Sequence, residues 1–191
     1  MLLAGSRLID APVLGLQTGS ELARTSRPII DPAKLEIIAY EVNGPLLDLH
    51  PSLLRVADVR EFSDIGIIVD SSDEFVTPDD IIKLDEIYKL HFDIVGMRVI
   101  DEKRRKLGKV SAYTIDTTGF LIQQLSVKRP LLKSLNDTEL LIHRSQITEI
   151  NDHAIVVHSQ AKIPQPAIPS VRTAYVNPFR KSANAEQIDQ K

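Results

Sequence analysis

Apolar residues along the chain come in short bursts. The runs LEIIAYEV (35–42) and FLIQQLSV (120–127) are rich in β-branched and aliphatic residues, as are GIIV (66–69) and AIVV (154–157), and turn residues separate them. Short strands at this spacing predict small barrels or sandwiches rather than a parallel sheet. A different pattern lies between the groups, in VTPDDIIKLDEIYKLHFD. Thr77 is placed as an N-cap and Pro78 at the first helical position, while Asp79 and Asp80 put negative charge at the positive end of the helix. Ile81, Leu84 and Tyr88 share one face, with Ile82 and Ile87 flanking it, so one short amphipathic helix is predicted from 78 to 90. After Lys162 the periodicity stops. Pro164, Pro166, Pro169 and Pro178 punctuate a polar end, which predicts a flexible tail, with Val171, Tyr175 and Phe179 spaced four apart as a docking motif within it.

The strand groups recur. Leu22, Ser26, Ile30, Asp31, Ile37 and Val42 reappear 85 residues later as Leu107, Ser111, Ile115, Asp116, Ile122 and Val127. Leu53, Glu61, Asp64, Ile67, Val69 and Ser71 reappear 88 residues later as Leu141, Glu149, Asp152, Ile155, Val157 and Ser159. The change of offset falls in the KRPLLKSLNDT loop, where length changes are tolerated. Average residue usage gives about one or two matches per block by chance, so the chain reads as a tandem duplication. A unit of roughly 70 residues buries only about 60% of the surface its unfolded chain exposes. Two copies packed together ease that shortage.

Composition narrows the function classes. The 191 residues are 43% hydrophobic, 26% charged and only 5% aromatic, with no Trp, which predicts cores of Ile, Leu and Val. No apolar run is long enough to span a bilayer and the opening residues do not read as a signal peptide, so no membrane insertion is expected and the location expected is cytoplasmic. The absence of Cys removes disulfides, thiolate nucleophiles, zinc ribbons and iron–sulfur clusters. Residues 1–90 hold 8 basic and 16 acidic side chains, whereas 91–191 hold 15 basic and 10 acidic ones. Such a bipolar chain can pair its own halves, self-associate, or offer a basic surface to an acidic partner.

The second copy, DIVGMRVIDEKRRKLGKVSAYTID followed by LLIHRSQITEINDHAIVV, resembles the PRC-barrel domain. The shared features are a strand ending in Asp, a basic hairpin, an L-G-K-V step, and a late strand and Asp-containing turn before a final apolar strand. The likeness covers 92–158 well and 5–71 more weakly, where Ala23 stands in place of the Gly of that step. The resemblance implies a six-stranded barrel per copy and no enzymatic activity. It also implies kinship with the cytoplasmic part of the reaction-centre H subunit and with the C-terminal barrel of the ribosome maturation factor RimM, which helps bind a ribosomal protein. The expected architecture is therefore mainly β: a first, divergent repeat (1–75), a linking helix (76–91), a second repeat (92–161) and a tail (162–191).

Features present in both copies serve the shared fold, and features present in one copy are the candidates for a specific task. Asp31 and Asp116 open the turns DPAK and DTTG, and their carboxylates suit capping of those turns. Asp64 and Asp152 mark hairpin connections, and Glu61 and Glu149 exposed strand positions. The cluster Lys103, Arg104, Arg105, Lys106 and Lys109 is unique to the second copy and is the candidate binding site, with Lys128, Arg129 and Lys133 as extensions. Its cations suit an acidic protein surface or phosphates, although no aromatic residue is interleaved for base stacking. His143, His153 and His158 lack counterparts, but no spacing forces three ligands together, so no metal site is expected. No nucleophile elbow, P-loop or dinucleotide fingerprint occurs, so no catalytic residue and no cofactor are assigned. The leading expectation is a protein-binding adaptor or assembly module. The alternative is RNA- or ribosome-associated binding through the basic tip.

Overall fold

The apolar bursts lie in a repeated set of strands. In the first copy these are β2 (Pro12–Gly15), β3 (Glu21–Asp31), β4 (Glu36–Asn43), β5 (Ser52–Arg55), β6 (Glu61–Ser63) and β7 (Gly66–Val69). In the second they are β9 (Arg98–Asp101), β10 (Lys106–Asp116), β11 (Leu121–Lys128), β12 (Glu139–His143), β13 (Ile147–Ile150) and β14 (Ala154–Val157). Among the described residues two short strands, β1 (Leu2–Ala4) and β8 (Phe75–Val76), and one α-helix, α1 (Ile82–Lys89), complete a mainly β fold. This structure, a computed structural model, describes residues 1–45, 47–48, 50–63, 65–129 and 139–158. Asp64, Lys133, Ser159 and the tail motif Val171, Tyr175 and Phe179 lie outside the described residues.

Both copies pair their strands in the same order. The first strand is antiparallel to the second, the second to the third and the third to the fourth, and the sixth is antiparallel to the fifth and parallel to the first. Even the register repeats: Ile30 faces Ile37 as Ile115 faces Ile122, and Thr25 faces Val42 as Val110 faces Val127. Each long second strand carries an irregularity near a serine whose hydroxyl donates to the neighbouring strand, Ser26 to the Glu41 carbonyl and Ser111 to the Ser126 carbonyl, both at 3.2 Å. These bends curl each sheet. The expected closed barrel is not completed by hydrogen bonds, because among the described residues β5 does not pair with β6, nor β12 with β13. In each copy a 3₁₀ turn, Val56–Asp58 or Arg144–Gln146, separates the two strands and takes the backbone out of strand geometry there.

The copies meet through equivalent residues. Glu36 of β4 faces Leu121 of β11 in an antiparallel bridge; the Ile37 amide donates to the Phe120 carbonyl at 2.9 Å and the Ile122 amide to the Leu35 carbonyl at 2.8 Å. Exchanging the copies maps this bridge onto itself, so it has a local two-fold. Leu35 and Phe120 both adopt left-handed backbone, with φ of 50° and 52°, and both are buried. That conformation is costly for side chains of this size, and the packing of both residues in one core offsets it. The core holds Ile30, Leu35, Ile37 and Tyr40 of the first copy together with Val110, Ile115, Ile122, Leu125 and Ile155 of the second. Phe120 packs on Phe62 with ring centroids 4.6 Å apart. β1 also crosses over, pairing Leu3 with Ile115 of β10. The first copy also keeps a core of its own around Val13, Val42, Leu54, Ile67 and Val69, so the shared interior adds to what a small unit buries by itself.

The helix starts later than expected, and one flanking residue differs. Asp80 accepts from the Thr77 amide at 2.6 Å and hydroxyl at 2.9 Å, but Pro78–Asp80 forms a 3₁₀ turn before α1 starts at Ile82. Leu84 and Ile87 are buried against Ile29, Ala39 and Leu53 on the outer face of the first copy's sheet, with Ile81 and Tyr88 beside them. Ile82, expected to flank that face, is 82% exposed. Ile81 is extended between the 3₁₀ turn and α1, with φ of −139° and ψ of 113°, so the two do not continue one helix and Ile82 opens α1 outside its buried face.

Candidate binding surface on the second repeat

The basic hairpin is organised by a buried carboxylate. Asp101 ends β9 with 1% of its side chain exposed, and it accepts from the Lys103 amide at 3.0 Å, the Arg105 amide at 2.8 Å and the Arg105 guanidinium at 2.6 Å. Burial pushes its carboxyl up, yet the bonds and charge of Arg105, with the Lys103 amide, hold it below the usual carboxylate range. An Asp opening a turn supplies the acceptors that such a tight reversal leaves wanting. Arg104 takes the left-handed position of the turn, with φ of 60°. Of the five cations singled out in the sequence, Arg105 therefore helps to build the tip, while Lys103, Arg104, Lys106 and Lys109 are exposed.

Strand register extends this cluster across the sheet. Lys109 faces Arg98 of β9 on one side and Lys128 of β11 on the other, and Lys128 in turn faces Glu139 of β12, so three exposed cations stand in one row that ends on a carboxylate. Like charges placed directly opposite each other on neighbouring strands destabilise a sheet. Among the described residues no carboxylate forms an ion pair with Arg98, Lys103, Arg104, Lys106, Lys109 or Lys128. The matching row in the first copy is Pro12, Arg24 and Asn43, and its single cation is neutralised by Glu21 at 2.8 Å and Asp10 at 3.7 Å. Beside the second row lies a groove of about 530 Å³ whose lining includes Arg98, Ile100, Arg104, Lys106, Glu149 and His153. Arg98 is steadied there by a hydrogen bond to the His153 carbonyl at 3.3 Å.

The other singled-out residues have local roles. The Asp31 and Asp116 carboxylates cap their turns by accepting from the amides of Ala33 at 2.9 Å and Thr118 at 3.3 Å. Glu61 and Glu149 are exposed strand positions. The turn from β13 to β14 contains Asp152, but Asn151 organises it, accepting from the amides of His153 and Ala154. His143 bonds to Ser145 at 2.8 Å, and His158 to Glu102 on the basic hairpin at 2.7 Å. No three metal-ligating side chains converge among the described residues. Burial, aided by the charge of Asp93, pushes the Tyr113 hydroxyl up to about 12, and burial raises Tyr40 as well, so both core phenols stay protonated. Lys128 was legible as an extension of the cluster. Arg98 was not singled out, although folding the sequence symmetrically about the DEKRRK turn brings it opposite Lys109.

No family model matches the chain, and no curated protein matches it. No helix among the described residues is long and apolar enough to cross a membrane.

Proposed function

We propose that this chain is a non-enzymatic adaptor or assembly module that docks an acidic protein surface on the basic face of its second repeat. The observation that carries the reading is the row Arg98, Lys109 and Lys128, whose cations form no ion pair among the described residues although Glu139 faces Lys128, set beside an Asp101-braced basic tip and a groove with apolar Ile100 in its wall. A protein keeps like charges in register at a cost, and a bound anionic surface relieves it. The first repeat then serves as the scaffold, its equivalent row being paired internally. The repeated six-strand order supports reading each copy as a PRC-type barrel unit, the two in tandem with α1 between them in the chain.

Nucleic acid is the alternative occupant of the same face, and its cations would suit phosphates equally well. Single strands are usually held by bases stacked on accessible aromatic rings, whereas every Phe and Tyr among the described residues is buried or half-buried. That favours protein. The test is capture from native lysate by the full chain and by a variant with Arg98, Lys109 and Lys128 changed to Glu. Capture of an acidic protein that resists nuclease, falls with rising salt and disappears in the variant supports the proposal. Unchanged capture by the variant overturns it, and nuclease-sensitive capture transfers the face to RNA.

A further inference from the structure

The two copies differ at the outer edge of the fourth strand. In the first, β5 is flanked by β4 on one side and by β8 on the other, with Leu53 facing Val76 and Leu54 facing Phe75 in an antiparallel pair. In the second, β12 pairs only with β11, no strand covers its other edge among the described residues, and the His143 amide at its end donates to the Gln146 side chain. Leu141, the counterpart of Leu53, is 53% exposed, and Glu139 and His143 are exposed on the same face two residues to either side. An open edge carrying a large apolar side chain is a template for another strand.

The sequence of that edge fits itself. Set antiparallel to a second ELLIH strand and centred on Leu141, each Glu139 stands opposite His143 of the other strand, each Leu140 opposite Ile142, and Leu141 opposite its own copy. Apolar pairs directly across an antiparallel ladder are favourable, and His143, whose Nδ1 accepts from the Ser145 amide, is left with an Nε2–H to donate to the facing Glu139. The arrangement also repeats what the first repeat does at this position, where an apolar residue, Val76, faces Leu53. We infer that two copies of this chain associate through β12, joining their sheets across a two-fold at Leu141. The association does not depend on the occupant of the basic face, since its readout is mass rather than capture.

The experiment is sedimentation equilibrium of the full chain over a concentration series, with Leu141→Lys and Leu141→Glu measured separately and mixed. The wild type is expected to rise to twice the monomer mass. Each variant places like charges opposite each other and is expected to weaken association at least about tenfold, with circular dichroism unchanged, and thermal unfolding unchanged at concentrations where the wild type is monomeric, because Leu141 is exposed. An equimolar mixture brings Lys opposite Glu and is expected to recover the dimer. A wild type that stays monomeric to its solubility limit overturns the inference. So does a folded Leu141→Lys that dimerises like the wild type, or a mixture that stays monomeric.

Discussion

Leu35 and Phe120 hold the same place in the two repeats, and each accepts a hydrogen bond from the strand of the other, at 2.8 Å from Ile122 and 2.9 Å from Ile37. Because both side chains are buried in one core, a change in either is felt in both copies. Phe120→Ala is expected to cost about 3–5 kcal/mol and Leu35→Ala about 2–5 kcal/mol. Denaturant unfolding followed separately by probes in each copy should show one coincident transition. Two separated transitions would mean that the copies fold independently.

The helix is tethered by a triad found only in the first copy. Glu41 accepts from Arg27 at 2.7 Å and from the Tyr88 hydroxyl at 2.8 Å, and the Arg27 guanidinium lies 5.3 Å from the Tyr88 ring centroid. The Arg27 hydrogen bond holds the Glu41 carboxyl below its usual range against partial burial, with Tyr88 assisting. Because the folded pKa is depressed, this stabilisation is complete above the unfolded value and fades as pH falls through the folded one. Tyr88→Phe should cost roughly 1 kcal/mol at neutral pH. Thermal unfolding of Glu41→Gln against wild type should show a deficit at pH 7 that narrows in acid.

Asp101 braces the basic tip from inside. Asp101→Ala removes the acceptor of two amides and a guanidinium, and is expected to raise hydrogen exchange at Lys103 and Arg105 while Val110 and Val127 in the adjoining core keep their protection. The same variant should weaken capture by the basic face, because it scatters the cations without removing any.

Glycine is required where two strands approach closely, and the copies meet that need on different strands. A Cβ at Gly108 of β10 would collide with the Lys128 carbonyl oxygen, whereas in the first copy Ala23 occupies that position and Gly44, just after β4, gives way; a Cβ there would lie 2.7 Å from the Leu22 carbonyl oxygen and 3.1 Å from the Ala23 Cα. Gly108→Ala and Gly44→Ala should each cost roughly 1–3 kcal/mol. Ala23→Gly should cost only about 0.5–1 kcal/mol. Chemical denaturation of the three variants distinguishes them.

Leu53 and Leu141 test how far a repeat dictates energetics. Leu53 is 0% exposed beneath α1 and Leu141 is 53% exposed. Leu53→Ala is expected to cost about 2–5 kcal/mol, and Leu141→Ala to stay within about 0.5 kcal/mol of wild type when measured as the monomer.

The linear chain by itself determined the repeated strand pattern, the mainly β character and the Thr77–Asp80 capping turn, but not the start of α1 at Ile82. Strand periodicity, turn Asp residues and N-caps are local, so Ser26 and Ser111, or Asp31 and Asp116, repeat both in sequence and in the bonds they make. The side chains that set a helix's seat are also visible once its position is known: Ile29, Ile38 and Ala39 beneath α1 correspond to Thr114, Gln123 and Gln124 in the other copy. Tertiary structure alone decided the rest. Pairing across strands brought Arg98, Lys109 and Lys128 into one row although 30 residues separate the first from the last. Burial made one Leu of an equivalent pair core and left the other exposed on a strand with one neighbour among the described residues, and the Leu35–Phe120 bridge joined the copies around a shared core beside the first copy's own. Hydrogen-bond register and the exclusion of water act between residues distant in the chain, and neither is written in the order of nearest neighbours.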